Sequence, residues 1–298
     1  MLAIVLALAS AIGYGSSDFA AGLASRSASV IQVTLFASAV SALVVAAALP
    51  FAASPAPSAT ALAWGFVAGL GGTLGAFALY LGFRHAAFSV AGPISAVASA
   101  GFSVLAGLLY GERPTALALT GIALALPAIV GVSASAAAAG DEPVEPETAA
   151  RGQPAARGRP AAGVALGLVA GAFFALLFIG LDQAGSGSGL WPVAATQVGE
   201  MAVAFAVAVA TRNVRLPAAR PRLLAVITGL TGAAGTILFF FASQEGFLAI
   251  TSVLTSLYPA VTILLARTVL GERLTALRLA GLALAGACVA LIAAGGAG

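Results

Sequence analysis

Lysine is missing from this chain of 298 residues, and histidine and cysteine occur once each, as His85 and Cys288. Without lysine there is no Gly-x-x-x-x-Gly-Lys phosphate loop, so the chain is not a self-powered pump. One histidine cannot supply a His-Glu-x-x-His zinc site, and one thiol gives neither an intrachain disulfide nor a cysteine cluster. The sequence therefore calls for no metal and no cofactor. Charge is scarce too: 8% of residues are Asp, Glu, Lys or Arg, against 61% apolar. A soluble domain carries roughly 25% charged residues, so a water-facing fold is excluded, and so is disorder, which needs polarity. The net charge of +3 comes from 13 arginines scattered between apolar runs. Nucleic-acid binding gathers basic residues on one polar face, so no nucleic-acid partner is expected.

What the chain has in plenty is uninterrupted apolar sequence. Runs of about 20 residues span a bilayer, and they fall near 2–23, 30–50, 61–83, 88–110, 115–135, 162–182, 191–210, 221–243, 247–270 and 275–296. None alternates as a strand of a membrane barrel would. The run at 2–23 lacks the basic start of a signal peptide and reads as a retained first helix. Turn-forming stretches such as Ser54-Pro55-Ala56-Pro57-Ser58, Gly111-Glu112-Arg113-Pro114 and Gly185-Ser186-Gly187-Ser188-Gly189 separate the runs. The expected fold is an all-α membrane protein of ten transmembrane helices, with the lipid bilayer as its surroundings. A polar, proline-rich stretch at 136–161 holds Asp141, Glu142, Glu145, Glu147, Arg151, Arg157 and Arg159, and reads as a flexible linker.

Ten spans put odd-numbered loops on one face and even-numbered loops on the other. Arg113 is the one arginine of the even loops; every other arginine lies in or beside an odd loop. Arginine collects on the cytoplasmic side, so the odd loops are expected inside and both termini outside.

The chain repeats itself at an offset of 160 residues. Residues 111–125 match 271–285 except at Pro114/Leu274, Ala118/Arg278, Thr120/Ala280 and Ile122/Leu282. The same offset lays Gly69, Leu70, Gly72 and Gly75 on Gly229, Leu230, Gly232 and Gly235. Two five-helix repeats, 1–135 and 162–298, follow. Five is odd, so the second inserts upside down relative to the first. Inverted repeats build many secondary transporters, with the site at the repeat interface near the membrane midplane.

These residues resemble the drug/metabolite transporter superfamily, EamA-type. The resemblance rests on ten helices in two repeats and on Gly-Glu-Arg at the ends of spans four and nine. Tyr14-Gly15 looks like the family's Trp-Gly, and Tyr258-Pro259 like its mid-helix proline. The chain departs from the pattern at Ser99, which stands where the repeat would place a second such proline, and in a second loop without basic residues. The resemblance implies a carrier of the plasma or inner membrane, often an exporter of amino acids or other small metabolites. It also implies a cavity lined by spans 1, 3, 4, 6, 8 and 9.

Ionisable groups at membrane depth cost at least about 2.5 kcal/mol on insertion scales, so each needs a reason. Glu200 stands at the middle of span seven, on one stripe with Thr196 and Gln197. It is a candidate for proton coupling, or a neutral carboxyl bonded to a neighbouring helix. Asp18, late in span one beside Ser16 and Ser17, can titrate, bind an amine or sit in interfacial water. Asp182 and Glu245 lie at span ends and read as solvated. Glu112 and Glu272 read as helix-turn-helix corners, with Thr115 and Thr275 placed to cap the next helices. His85 ends span three and is the one candidate for an imidazole proton relay.

Uncharged polar groups fill out the candidate substrate site: Tyr14, Ser95 and Ser99 in span four, and Thr255 and Tyr258 in span nine. Ser95, Ser99 and Ser103 recur every four residues, and the offset lays Ser95 on Thr255. Such stripes either hydrogen-bond a solute in a cavity or let helices pack closely. An anionic solute would want arginines at depth, and only Arg84 and Arg267 come near. The expectation is a secondary transporter of a small polar metabolite, amino acid-like or amine/drug-like, exported by alternating access. A channel-like facilitator, or a nucleotide- or lipid-linked sugar carrier of the same fold, is the alternative. No enzymatic constellation is present. The oligomer is left open between monomer and homodimer.

Overall fold

The computed structural model describes residues 1–25, 27–51, 57–85, 88–138, 160–271 and 276–295. The side chains of 80, 82–93, 132–138, 160–161 and 278 are not among them. Most of the 136–161 linker, Glu272, Arg273, Thr275 and the side chains of Arg84, His85 and Pro93 therefore lie outside the described residues.

The described chain is helical, with no strand. Its helices are α1 (Leu2–Ser25), α2 (Val30–Ala48), α3 (Ala59–His85), α4 (Phe88–Leu109), α5 (Ala116–Ala138), α6 (Pro160–Gln183), α7 (Trp191–Ala210), α8 (Ala219–Glu245), α9 (Leu248–Thr255), α10 (Tyr258–Leu270) and α11 (Ala276–Gly295). Seven spans are long and apolar enough to cross a membrane, and α4, α5 and α11 carry shorter apolar cores at Ile94–Leu109, Ala116–Gly131 and Leu279–Gly295. Ten spans result, because α9 and α10 together form the ninth.

The ninth span was expected as one helix over 247–270 and is broken at Ser256 and Leu257. Pro259 has no N–H to give the carbonyl of Thr255, four residues back, and its ring crowds that carbonyl. Thr255 is the last residue of α9, and Pro259 sits in the first turn of α10, where its missing donor is not needed. The stripe of Thr251, Thr255, Tyr258 and Thr262 is thus shared between two helices.

The packing follows the repeat. Exchanging α1 with α6, α2 with α7, α3 with α8, α4 with the α9–α10 pair and α5 with α11 carries the most extensive helix contacts onto one another, while α4 on α5 has no counterpart in the second repeat. Thus α1 packs on α8 as α6 does on α3, α2 on α8 as α7 does on α3, and α4 on α6 as α9 and α10 do on α1. The pairs α2–α7 and α5–α11 lie on the pseudo-axis. The 160-residue offset holds for helix starts as well: Ala59 and Ala219, Phe88 and Leu248, Ala116 and Ala276. This is the two-fold inverted architecture expected from the sequence.

Glycines let the crossings close. A Cβ on Gly69 of α3 would stand 2.1 Å from the carbonyl oxygen of Thr196 on α7. Its repeat mate Gly229 of α8 would meet the carbonyl oxygen of Ala37 on α2 at 2.5 Å. Both backbones approach closer than any side chain permits.

Loops after even-numbered spans gather on one face. The Ser58 amide donates to Ser188 Oγ at 3.1 Å, Gln244 Nε2 donates to the Asp182 carbonyl at 3.3 Å, and Thr115 Oγ1 donates to the Gly295 carbonyl at 3.0 Å. Thr115 also caps α5 as expected, accepting the Ala118 amide at 3.2 Å.

Candidate functional site

The middle of α1 is where the polar residues converge. The Tyr14 hydroxyl lies 3.1 Å from Thr236 Oγ1 on α8. Its ring leans on Phe178 of α6 at 6.5 Å between centroids, and Phe178 stacks at 4.5 Å on Phe239. This aromatic wall belongs to the core that also holds Leu177, Leu181 and Phe240.

Asp18 sits one turn from Tyr14. Ile4, Ala11 and Asp18 are spaced by seven and share a face of α1. Ile4 and Ala11 are buried on that face, yet Asp18 is exposed, and so is Gly22 one turn on. The lipid-facing side of α1 is a different one, marked by Val5 and Ile12. The packed face of α1 therefore opens to free space at Asp18, toward the odd-loop end of the helix. The Asp18 carboxyl has no hydrogen-bond or ion-pair partner among the described residues.

Glu200 is half-buried on α7. Its backbone carbonyl accepts Thr73 Oγ1 at 3.4 Å, and its carboxyl lies beside Gly72 and Leu177, without a side-chain partner among the described residues. Thr196, expected on its stripe, donates instead to the carbonyls of Gly65 and Pro192, both at 3.0 Å. Gln197 is buried with both amide atoms unpaired.

The span-four and span-nine residues divide into paired and unpaired groups. Ser99 donates to the Ala96 carbonyl at 3.0 Å and lies 3.5 Å from Ser256 Oγ. Thr255 donates to the Ala7 carbonyl of α1 at 3.3 Å, and Thr262 to the Gly15 carbonyl at 3.0 Å. A Cβ on Gly15 would meet the Tyr258 carbonyl oxygen at 2.6 Å, so the break in the ninth span sits directly against the middle of α1. Ser95, Ser103 and Ser252 are fully buried and unpartnered. Of the sequence candidates, the fold thus sets Asp18 one turn from Tyr14, Glu200 at the edge of the core that Tyr14 packs against, and Thr255 and Tyr258 against α1. Ser99 lies where α4 meets the end of α9, and Ser95, one turn before it, has its carbonyl against Gly171 of α6.

Two participants escaped sequence reading. Thr236 follows an ordinary glycine-rich run, and its repeat mate is Ala76, so periodicity gives no signal for it. Glu112 looked like a corner residue. In the structure its carboxyl accepts the amides of Leu248 and Ala249, the latter at 2.9 Å, at the N-terminus of α9. Asp182 reads as solvated at its span end and is half-buried there, its carboxylate accepting Gln183 Nε2 at 3.0 Å.

Residues 1–134 and 161–294 each match the EamA-like transporter family. No curated protein sequence matches the chain. A crystal structure with 16% sequence identity superposes with a TM-score of 0.76, over 98% of this chain and 98% of its own.

Proposed function

The chain belongs to the EamA-like transporter family of the drug/metabolite transporter superfamily, and from that membership we propose that it moves a small polar solute, amino acid-like or amine-like, by alternating access between its two halves. It is a multi-pass membrane transporter and not an enzyme. Export across the plasma or inner membrane, with odd loops inside, is the direction we assign. The halves are 1–135 and 162–298, tethered by 136–161.

One observation carries the reading: Asp18 is exposed on a face of α1 that is buried above it, one turn from the Tyr14–Thr236 pair. A carboxylate in a recess recognises an ammonium group by charge and hydrogen bonding, and paired hydroxyls can exchange their mutual bond for one to a solute. Glu200 adds a second carboxyl at depth. A group in such a place can load a proton on one side of a membrane and release it on the other. Coupling to protons runs through Asp18 or Glu200. The anionic sugar-phosphate class is disfavoured, because no arginine side chain adjoins Tyr14 among the described residues.

The test is flux in proteoliposomes with and without a pH gradient, using zwitterionic amino acids, monoamines and sugar phosphates in parallel. Saturable movement of an amino-bearing solute is expected. Saturable movement of the sugar phosphates alone would overturn the assignment.

A further inference from the structure

The seam between α4 and α9 is shut, and its chemistry is that of a path. The two helices run antiparallel, and two contacts fix their register. Ser99 lies against Ser256, and Gly107 lies against Ala249, whose amide nitrogen a Cβ on Gly107 would approach to 3.2 Å. One turn from each contact, Ser103 comes level with Ser252. Both are 0% exposed, and neither hydroxyl has a partner; Ser95, one turn beyond Ser99, shares both properties. Membrane-buried serines normally satisfy themselves on a carbonyl of the preceding turn, and an orphan costs about 1–3 kcal/mol. Two facing orphans in one seam, Ser103 and Ser252, mark groups whose partners belong to another conformation.

The seam is fastened at its even-loop end. In the turn after α4, Gly111 takes φ +95°, and the Glu112 amide reaches back to the Gly107 carbonyl at 2.9 Å. This six-to-one closure turns the chain so that Glu112 points across the seam. Gly107 leaves the room, because a Cβ there would lie on the Glu112 carboxyl itself. Arg113 holds the turn from behind, its Nη1 donating to the Glu112 carbonyl at 2.9 Å. The carboxylate then takes two successive amides at the positive end of α9, a charge-assisted contact between the first repeat and the second.

We propose that the α4–α9 seam is the even-face limb of the permeation path, latched shut by Glu112 on the Leu248 and Ala249 amides. Release of the latch parts the seam and gives Ser103 and Ser252 to water and to the passing solute. These lining groups are hydroxyls, so the limb passes solutes that hydrogen-bond, the small polar class proposed above. The solute class rests on the transport reading above; the opening of the seam does not.

The test places single cysteines at Ser103 and Ser252 in a Cys288→Ser background and measures labelling by an impermeant maleimide from each face. With Glu112 intact, labelling is slow. Glu112→Ala raises it about tenfold from the even-loop face, while a cysteine at Gly187, which stands in open space on that face, is unaffected. Labelling unchanged by Glu112→Ala, in protein with unaltered melting, overturns the latch. Should Glu112→Ala not fold, cysteines at Glu112 and Leu248 take its place: their disulfide must abolish labelling at Ser103, and reductant must restore it. Persistent labelling in the cross-linked protein overturns the proposal. A chain whose seam opens but which moves no solute upholds the latch and refutes the transport reading. One that transports while the seam stays shut refutes the latch alone.

Discussion

Tyr14 and Thr236 share a hydrogen bond that the inverted repeat does not repeat. The offset of 160 residues carries Tyr14 onto Phe174 and Thr236 onto Ala76. Phe174 leans on Gly75 much as Tyr14 leans on Gly235. The packing is symmetric and the hydroxyls are not, so the polar pair serves something other than the crossing.

Tyr14→Phe makes the first repeat copy the second. The loss of one part-buried hydrogen bond is expected to lower stability by about 1 kcal/mol. Transport is expected to fall about tenfold or more, since the solute loses a partner. Melting in detergent and initial flux in proteoliposomes measure the two effects. Normal flux would reduce the pair to a packing contact.

Asp18→Asn and Glu200→Gln keep shape and remove titration. One of them is expected to abolish the dependence of flux on a pH gradient while leaving exchange of solute for solute intact. Counterflow with and without the gradient separates these. If both variants follow the gradient as the unaltered protein does, both carboxyls are structural.

The arginine distribution predicts which face is outside. In the Cys288→Ser background, a cysteine at Gly187 should react with an impermeant reagent in intact cells. One at Asn213, in the loop after α7, should react only after permeabilisation. The reverse pattern inverts the orientation.

Gly69→Leu sets a side chain where the Thr196 carbonyl oxygen is 2.1 Å from an ideal Cβ. Only backbone movement relieves that clash, and a cost of about 3 kcal/mol or more is expected. Gly22→Ala, at a position with nothing within 4 Å, should be neutral. Thermal unfolding of the two purified variants makes the comparison.

Spans, repeat and inversion were legible because each is written in local pattern: apolar length, loop charge and a fixed offset. The break after Thr255 was readable in principle from Pro259, but a proline kink and a full interruption look alike in sequence. Asp18 and Glu200 announced themselves by charge at depth. What sets Thr236 against Tyr14 did not, because the Ser10–Gly235 and Ser17–Thr228 bonds that dock α1 on α8 join residues 225 and 211 apart. Glu112 stands at the corner where the sequence puts it, but its contact with α9 was hidden for a related reason. Its identity fits any helix corner, and only the register of α4 against α9 sends its carboxyl across the seam.

The preference of α1 for α8, and of α2 for α7 and α8, has a consequence for synthesis. At about 5–20 residues per second, the partner of the first helix leaves the ribosome roughly 10–45 seconds after the helix itself. During that interval Ser10, Tyr14 and Ser17 have no α8 to bond, and Asp18 stands beside them in a helix that must already reside in the bilayer. The first half waits in lipid as a set of loosely joined helices, and its interior comes into being only when the second half threads between them.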